Sequence, residues 1–308
     1  MKPSGKIYWL ALLLQLTDVI VGPPINDQEW DLVLPFTRPL FASQPYFSGR
    51  DVVILQSLLR RYDGISLVVD GVFGPKSSRA LEYFQVREGI IPADGRLDIP
   101  TARLVLDKLM YDGYKDDGVI PPWAKFKMYA PVHRNRSIET TGILYDGAGN
   151  VLYKFPIRSR GWTGRLGQEL NQLTTNGDSP TGLVTFDLNS KQPDPKAFGP
   201  YPCLRCVKGL KGNVAIGKDN VTGIDGPDTF LSNYRSGILV HTGQWDNWSP
   251  GQPMPNSHGC FHVYPNDMKT IVDILMKQLG VINRKNPFGR LPYPYEPQGI
   301  MSIEQVDW

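Results

Sequence analysis

The apolar positions of this chain change period along its length. Residues 7–16 are a nearly unbroken apolar run behind Lys2 and Lys6, closed by Asp18 and by small residues near Gly22. A basic start and a short apolar core read as a secretory signal over residues 1–22, and the run is too short for a membrane-spanning helix. Residues 23–45 have no period, and their prolines mark a Pro-rich arm or linker. From 46 to 111 the apolar residues fall at helical spacing. Residues 51–59, 77–86 and 100–110 predict three helices, the second with Ala80, Leu81 and Phe84 on one face, the third starting near Ile99 or Thr101. Asp-Gly precedes the second and third helices, as Asp70-Gly71-Val72-Phe73 and Asp94-Gly95-Arg96-Leu97, a short internal duplication.

Residues 112–123 are polar and marked by Gly and Pro, which predicts a linker. Beyond them the period becomes two. Residues 125–129 alternate, and 142–145 and 151–155 flank Asp146-Gly147-Ala148-Gly149-Asn150 as the arms of a hairpin. Residues 182–188 and 237–240 predict further strands. A helix capped by Asn266 turns Met268, Ile271, Val272, Leu275 and Leu279 inward and stops at Gly280. The Pro-rich residues 284–308 are expected to form a surface tail. The fold class is therefore multidomain: a small all-α three-helix domain at 46–111, then a mostly-β domain at 124–283.

Composition narrows the class of partner. A chain of 308 residues has room for two domains. The net charge of +3 is weak, and no run of Lys or Arg points to nucleic acid. No second apolar run is long enough to span a bilayer, so no stable membrane insertion is expected once the signal is removed. The three cysteines are Cys203, Cys206 and Cys260. In an oxidising compartment an odd count leaves one thiol outside any disulfide. Cys203 and Cys206 are expected to close a local disulfide, which leaves Cys260. A redox pair and half of a zinc site are the alternatives for the Cys-x-x-Cys. Sequons at Asn135, Asn220 and Asn247 matter only where the host glycosylates secreted proteins.

Three of the four histidines gather around Cys260: His241-Thr242-Gly243, a loop of Trp, Pro and Gly, then Ser257-His258-Gly259-Cys260-Phe261-His262. A thiol with its usual pKa is only a few per cent thiolate at neutral pH, and an imidazole that takes its proton makes it a nucleophile. His258 stands two residues from Cys260, a spacing that runs side chains side by side. His241 ends a separate strand and can face the thiol, so it is the expected base, with a backbone carbonyl orienting its ring. Gly259 permits close approach of backbone to substrate. The amides around Cys260, with the His258 side chain, can form an oxyanion hole. Two other readings stay open on chemistry alone: a metal site built from His241, His258, Cys260 and His262, and a purely structural cluster.

Two resemblances bear on these readings. Leu55-Gln56, Leu59, Asp70-Gly71-Val72-Phe73-Gly74, Ala80-Leu81, Phe84-Gln85, Gly89 and Asp94-Gly95, with Thr101 and Leu104, resemble the peptidoglycan-binding-domain family; Asp98 stands where that family often has Gly. His241 with Ser257-His258-Gly259-Cys260, and Ser179-Pro180-Thr181-Gly182 entering a strand, resemble the L,D-transpeptidase (YkuD-type) catalytic domain. That resemblance implies that Cys260 attacks the third residue of a tetrapeptide stem and expels D-alanine. It implies His241 as base, oriented by the Thr242 carbonyl, and His258 and nearby amides on the oxyanion. It implies no metal and no cofactor, and peptidoglycan stem peptides and glycan as partners of a secreted or wall-associated enzyme. His262 stands where the family has Arg or Asn, which bears on substrate binding, because His carries charge only when protonated. Trp245 and Trp248, in the loop 244–256, are candidate substrate contacts. Hydrolysis of the same peptides by a carboxypeptidase or endopeptidase, non-catalytic wall binding, and a zinc hydrolase are the competing functions.

Overall fold

The computed structural model describes residues 30–162, 170–213, 228–229, 237–245, 248–286 and 296–307. The expected signal at 1–22 and the sequons at Asn220 and Asn247 lie outside the described residues.

The N-terminal block is built on a repeated glutamine. Strand β1 (Phe47–Ser48) leads into α1 (Arg50–Leu59), β2 (Val72–Phe73) into α2 (Pro75–Arg87), and α3 (Ile99–Leu109) follows. Gln56 of α1 accepts hydrogen bonds from the amides of Asp70 and Gly71 at 3.1 and 2.9 Å, and donates to Val72 O and Ser77 Oγ at 3.2 and 3.0 Å. Gln85 of α2 repeats the arrangement one unit later. It accepts from Gly95 N at 2.8 Å and donates to Arg96 O and Thr101 Oγ1 at 2.9 and 3.2 Å. Each glutamine thus sews an Asp-Gly loop to the first turn of the next helix, so the duplication extends to the hydroxyl that answers the amide. Gly71 and Gly95 both have positive φ, which the tight loop requires. Asp98 caps α3 by accepting from Thr101 N at 2.8 Å, which is why a carboxylate serves where Gly would leave the helix uncapped. Trp30, Val33, Phe36 and Leu40 from the preceding arm complete the apolar core, and Leu40 pairs with Leu97.

The second domain is one large sheet. Its strands are β3 (Phe126–His133), β4 (Thr140–Asp146), β5 (Val151–Ile157), β6 (Gly182–Asn189), β7 (Cys203–Gly212), β8 (Asp228–Thr229), β9 (Leu239–His241), β10 (Phe261–His262) and β11 (Gly299–Val306), and the short helix α4 (Pro195–Phe198) lies between β6 and β7. The order is β10-β9-β7-β6-β11-β3-β4-β5, with β8 paired to β7. The predicted hairpin forms as β4 and β5. Arg158, just past β5, exchanges backbone hydrogen bonds with His262 of β10 at 3.1 and 2.8 Å, so the two ends of the sheet meet. Helix α5 (Pro265–Asp273), continued by a π turn to Gln278, packs Met268, Ile271, Val272 and Leu275 against Phe155, Phe186, Val240 and Phe261. The helix starts at Pro265, not behind an Asn266 cap, because proline suits the first helical position, where no amide partner is needed.

One sequence expectation is corrected. The residues 284–308 are not a surface tail throughout. Gly299–Val306 is β11, in the middle of the sheet, parallel to β3 and antiparallel to β6. Burial on both faces removes the alternation that would mark it. The segment 112–123 lies along the second domain. Asp112 accepts from Asn213 N at 2.7 Å, Tyr114 OH meets Ser302 Oγ at 2.8 Å, and Asp116 pairs at 2.7 Å with Lys127, itself 2% exposed. From the other side, Asn171 donates to Leu34 O at 2.7 Å and Leu173 enters the helical core. The two domains are docked at both places.

Candidate active site

Alternation along two neighbouring strands assembles the site. Val240 and Phe261 point into the core and are partners in the parallel β9–β10 pair, with His241 opposite His262. The residues beside them, Leu239 and His241 on β9 and His262 on β10, therefore face the other side, away from α5, and Cys260 immediately precedes β10. His241 is 3% and His262 4% exposed, whereas Cys260 is only half-buried. The nucleophile candidate thus lies at the mouth of a cleft whose imidazoles lie deeper.

His241 Nδ1 lies 2.7 Å from Thr242 O. A carbonyl only accepts, so Nδ1 carries the proton and Nε2 keeps its lone pair. Burial pushes the His241 pKa down to about 4, against the opposing Thr242 carbonyl, so the ring is neutral at pH 7. Thr242 is itself fully buried, and Gly199 packs against it so closely that a Cβ there would meet Thr242 Cγ2 at 2.4 Å. Phe198 lies against the His241 ring, centroids 4.8 Å apart. The Cys260 thiol donates to Gly237 O at 3.6 Å, at the start of the segment that carries His241.

The turn before Cys260 is held by serines. Ser257 Oγ accepts from Gly259 N at 3.0 Å and donates to Cys260 O at 2.6 Å. Ser179 Oγ donates to Gly259 O at 2.8 Å. Gly259 has φ +103°, a conformation that disfavours side chains and turns the chain between His258 and Cys260. His258 is left exposed, its ring edge-on to Trp162 at 5.8 Å.

His262 donates from Nδ1 to Pro255 O at 2.9 Å, and burial, with His241 beside it, holds its pKa well below the usual range. It is a neutral ring, not a carboxylate-binding cation. It packs against His241 at 4.7 Å and against Trp245 at 4.8 Å. Trp245 also lies over Gly243, where a Cβ would meet its indole nitrogen at 2.3 Å. Trp248 packs on Trp245 and Tyr264, centroids 5.4 and 5.9 Å apart. Both tryptophans are half-buried in this stack.

The expected Cys203–Cys206 disulfide is corrected: both are buried thiols. They lie three residues apart on a regular stretch of β7, opposite Asn189 and Phe186, which puts them on opposite faces. Three extended residues separate their Cα atoms by about 10 Å, beyond the reach of a disulfide. Burial pushes both thiols up, Cys203 to about 12. Among the described residues no group of His, Cys, Asp or Glu is arranged to hold a metal ion. Sequence reasoning missed Trp162, Phe198 and Arg158 as neighbours of the site. Each reaches it by a long-range return of the chain from segments with no motif of their own.

Two family models match the sequence: an L,D-transpeptidase catalytic domain (YkuD) over residues 137–282, and a peptidoglycan binding domain over residues 48–104. The chain carries an L,D-transpeptidase-family catalytic domain behind a peptidoglycan-binding domain. The transpeptidase match spans His241 to Cys260 and the sheet from β4 to α5, and β11 completes that domain from outside it. Comparison with curated proteins finds no match. Similar solved structures include an L,D-transpeptidase (Yku) from Stackebrandtia nassauensis, at 14% identity and TM-score 0.30, covering 88% of this chain and 98% of that one. Another is an L,D-transpeptidase from Xylanimonas cellulosilytica, at 18% identity and TM-score 0.23, covering 92% and 100%. A third is a fused Zn-dependent amidase/peptidase/peptidoglycan-binding domain-containing protein from Clostridium acetobutylicum, at 17% identity and TM-score 0.24, covering 86% and 99%. These superpositions are weak, and the assignment of the two domains rests on the family models. Peptidoglycan is the partner to which both domains point.

Proposed function

We propose that this chain is a secreted cysteine acyltransferase for peptidoglycan stem peptides, with Cys260 as nucleophile and His241 as base. The observation that carries the reading is the state of His241: a buried neutral imidazole with Nδ1–H committed to Thr242 O, which leaves Nε2 unprotonated on the strand paired with the one Cys260 leads into. Nε2 takes the thiol proton as sulfur attacks the carbonyl carbon of the third stem residue. The carbonyl π electrons move to oxygen, where amides of the Ser257–Cys260 turn and the exposed His258 ring offer donors. Collapse breaks the C–N bond, and the imidazolium returns its proton to the departing D-alanine amine. The thioester then passes to an acceptor amine, which closes a cross-link and restores the thiol; water as acceptor gives hydrolysis instead. His262, neutral and packed between His241 and Trp245, contributes a wall of the cleft in place of a cation.

The docked helical domain supports action on wall-bound substrate, and the basic-then-apolar start of the chain supports export. Among the described residues no helix is long and apolar enough to cross a membrane.

The test is intact mass spectrometry after mixing the protein with a tetrapeptide-stem muropeptide. A transient adduct equal to the stem minus D-alanine is expected, absent in Cys260→Ala. An added amine acceptor then separates transfer from hydrolysis by product. No adduct and no D-alanine release from folded, reduced protein would overturn the assignment.

A further inference from the structure

A buried hydroxyl from outside the turn that precedes Cys260 holds one of its peptide units. Ser179 is fully buried, and its Oγ donates to Gly259 O at 2.8 Å. That carbonyl belongs to the peptide unit joining Gly259 to Cys260. In a trans peptide the C=O and N–H lie in one plane and point in opposite directions. Fixing the oxygen on the fully buried Ser179 therefore aims the Cys260 N–H away from that serine.

Ser179 is itself immobile. Arg136, buried, donates from Nη1 to Ser179 O at 3.0 Å and to Ser159 Oγ at 3.1 Å. Pro180 follows and fixes its own φ. Thr181 is held through its amide and hydroxyl by Gln172 Oε1 at 2.9 and 3.0 Å. Asp178, on the other side, accepts from Gly161 N at 2.8 Å. The flanking peptides of the turn are tied separately, because Ser257 takes Gly259 N–H and Cys260 C=O. A glycine at φ +103° has wide torsional freedom, so the plane that follows it keeps one orientation only if something outside the turn holds it.

We infer that Ser179 is the positioning residue of the oxyanion site, acting through the Gly259–Cys260 peptide to hold the Cys260 amide where a tetrahedral oxygen forms. It touches neither substrate nor sulfur. It rests on the acyl-transfer reading only in requiring that a tetrahedral intermediate form at Cys260. A preorganised donor strengthens in the transition state and does little for the ground state. Ser179 therefore governs acylation of Cys260 and not the nucleophilicity of its thiol.

Two reagents separate these effects on the full chain. p-Nitrophenyl acetate acylates a thiol through a tetrahedral oxyanion, releasing nitrophenolate. Iodoacetamide alkylates it by displacement of iodide, with no oxyanion. In Ser179→Ala the acylation rate should fall about ten- to a hundredfold, while alkylation of Cys260 stays within about twofold of the parent. Ser179→Thr, which keeps the hydroxyl, should restore most of the acylation rate. If Ser179→Ala lowers both rates together, or neither, the inference is wrong: the first outcome makes Ser179 a support of the fold or thiol, the second makes it dispensable. Parent protein that is alkylated at Cys260 but not acylated by the ester would equally overturn it. Failure of the muropeptide alone, with the ester pattern intact, would remove the stem-peptide reading and leave the role of Ser179 standing.

Discussion

His241 and His262 face each other across the β9–β10 pair as neutral, buried rings, and this makes the protein's stability depend on acid. The folded pKa of His241, about 4, lies below its unfolded value of 6.5. Above pH 6.5 the ring is neutral in both states and the native state has its full stability. As pH falls toward 4 the unfolded chain binds the proton first, so stability is lost across that window. His262 shifts in the same direction. His241 alone accounts for about 3 kcal/mol. Urea unfolding at pH 7.5 and pH 4.5 should reveal that loss, with a smaller difference in His241→Gln; an unchanged difference would mean that other groups set the slope. At this scale much was legible in the sequence. The gathering of His241, His258 and His262 near Cys260 in the chain, and the place of His241 on a separate strand, are visible in the motif and its spacing. The neutrality of His262 did not, because it comes from Trp245, Pro255 and His241 closing around it. The disulfide expectation failed for a reason of pitch: Cys-x-x-Cys brings sulfurs together in a turn, and β7 is extended there.

Among the elements, β11 lies near the middle of the sheet that holds the site. It is hydrogen-bonded on both sides, to β6 and β3, and Ile300, Met301 and Ile303 are all fully buried. Ile303→Ala should cost about 2–5 kcal/mol of unfolding free energy, as large-to-small changes in a packed core do. Chemical denaturation measures it, and a change below about 0.5 kcal/mol would mean that the strand is peripheral after all. The helices of the first domain and the β4–β5 hairpin were legible because each buries one face and so keeps a period. Strands β7 and β11 were not, since both are nearly buried all round and β11 follows a Pro-rich stretch. The second Asp-Gly of the repeat was visible in the sequence. The glutamines that make the repeat physical, Gln56 and Gln85, had only been part of a motif.

At the scale of the whole molecule, the two domains meet through the linker at Asp112, Tyr114 and Asp116 and through the insertion of Leu173 into the helical core. The stretch holding Leu173 continues into Ser179, so the surface that seats the binding domain and the serine bonded to the Gly259 carbonyl lie on one short segment. Leu173→Asp places a charge in an apolar core and should undock the domains. Calorimetry is then expected to split one unfolding transition into two, and the 112–123 segment should become sensitive to limited proteolysis. A single transition and unchanged cleavage would show that the linker contacts suffice. The docking was not legible because no local pattern marks an apolar side chain destined for a neighbouring domain.

The place of β11 also governs the order of events during synthesis. Cys260 leaves the ribosome before Gly299–Val306, yet β3, made much earlier, has no parallel neighbour until that stretch arrives. Until then β3 and β6 have bare edges where β11 will lie, and Cys260 lies on a chain whose sheet is unfinished. A protein cut short before Gly299 would thus carry Cys260 without the architecture that surrounds it. The surroundings of Cys260 are complete only when the strand at the centre of the sheet is in place.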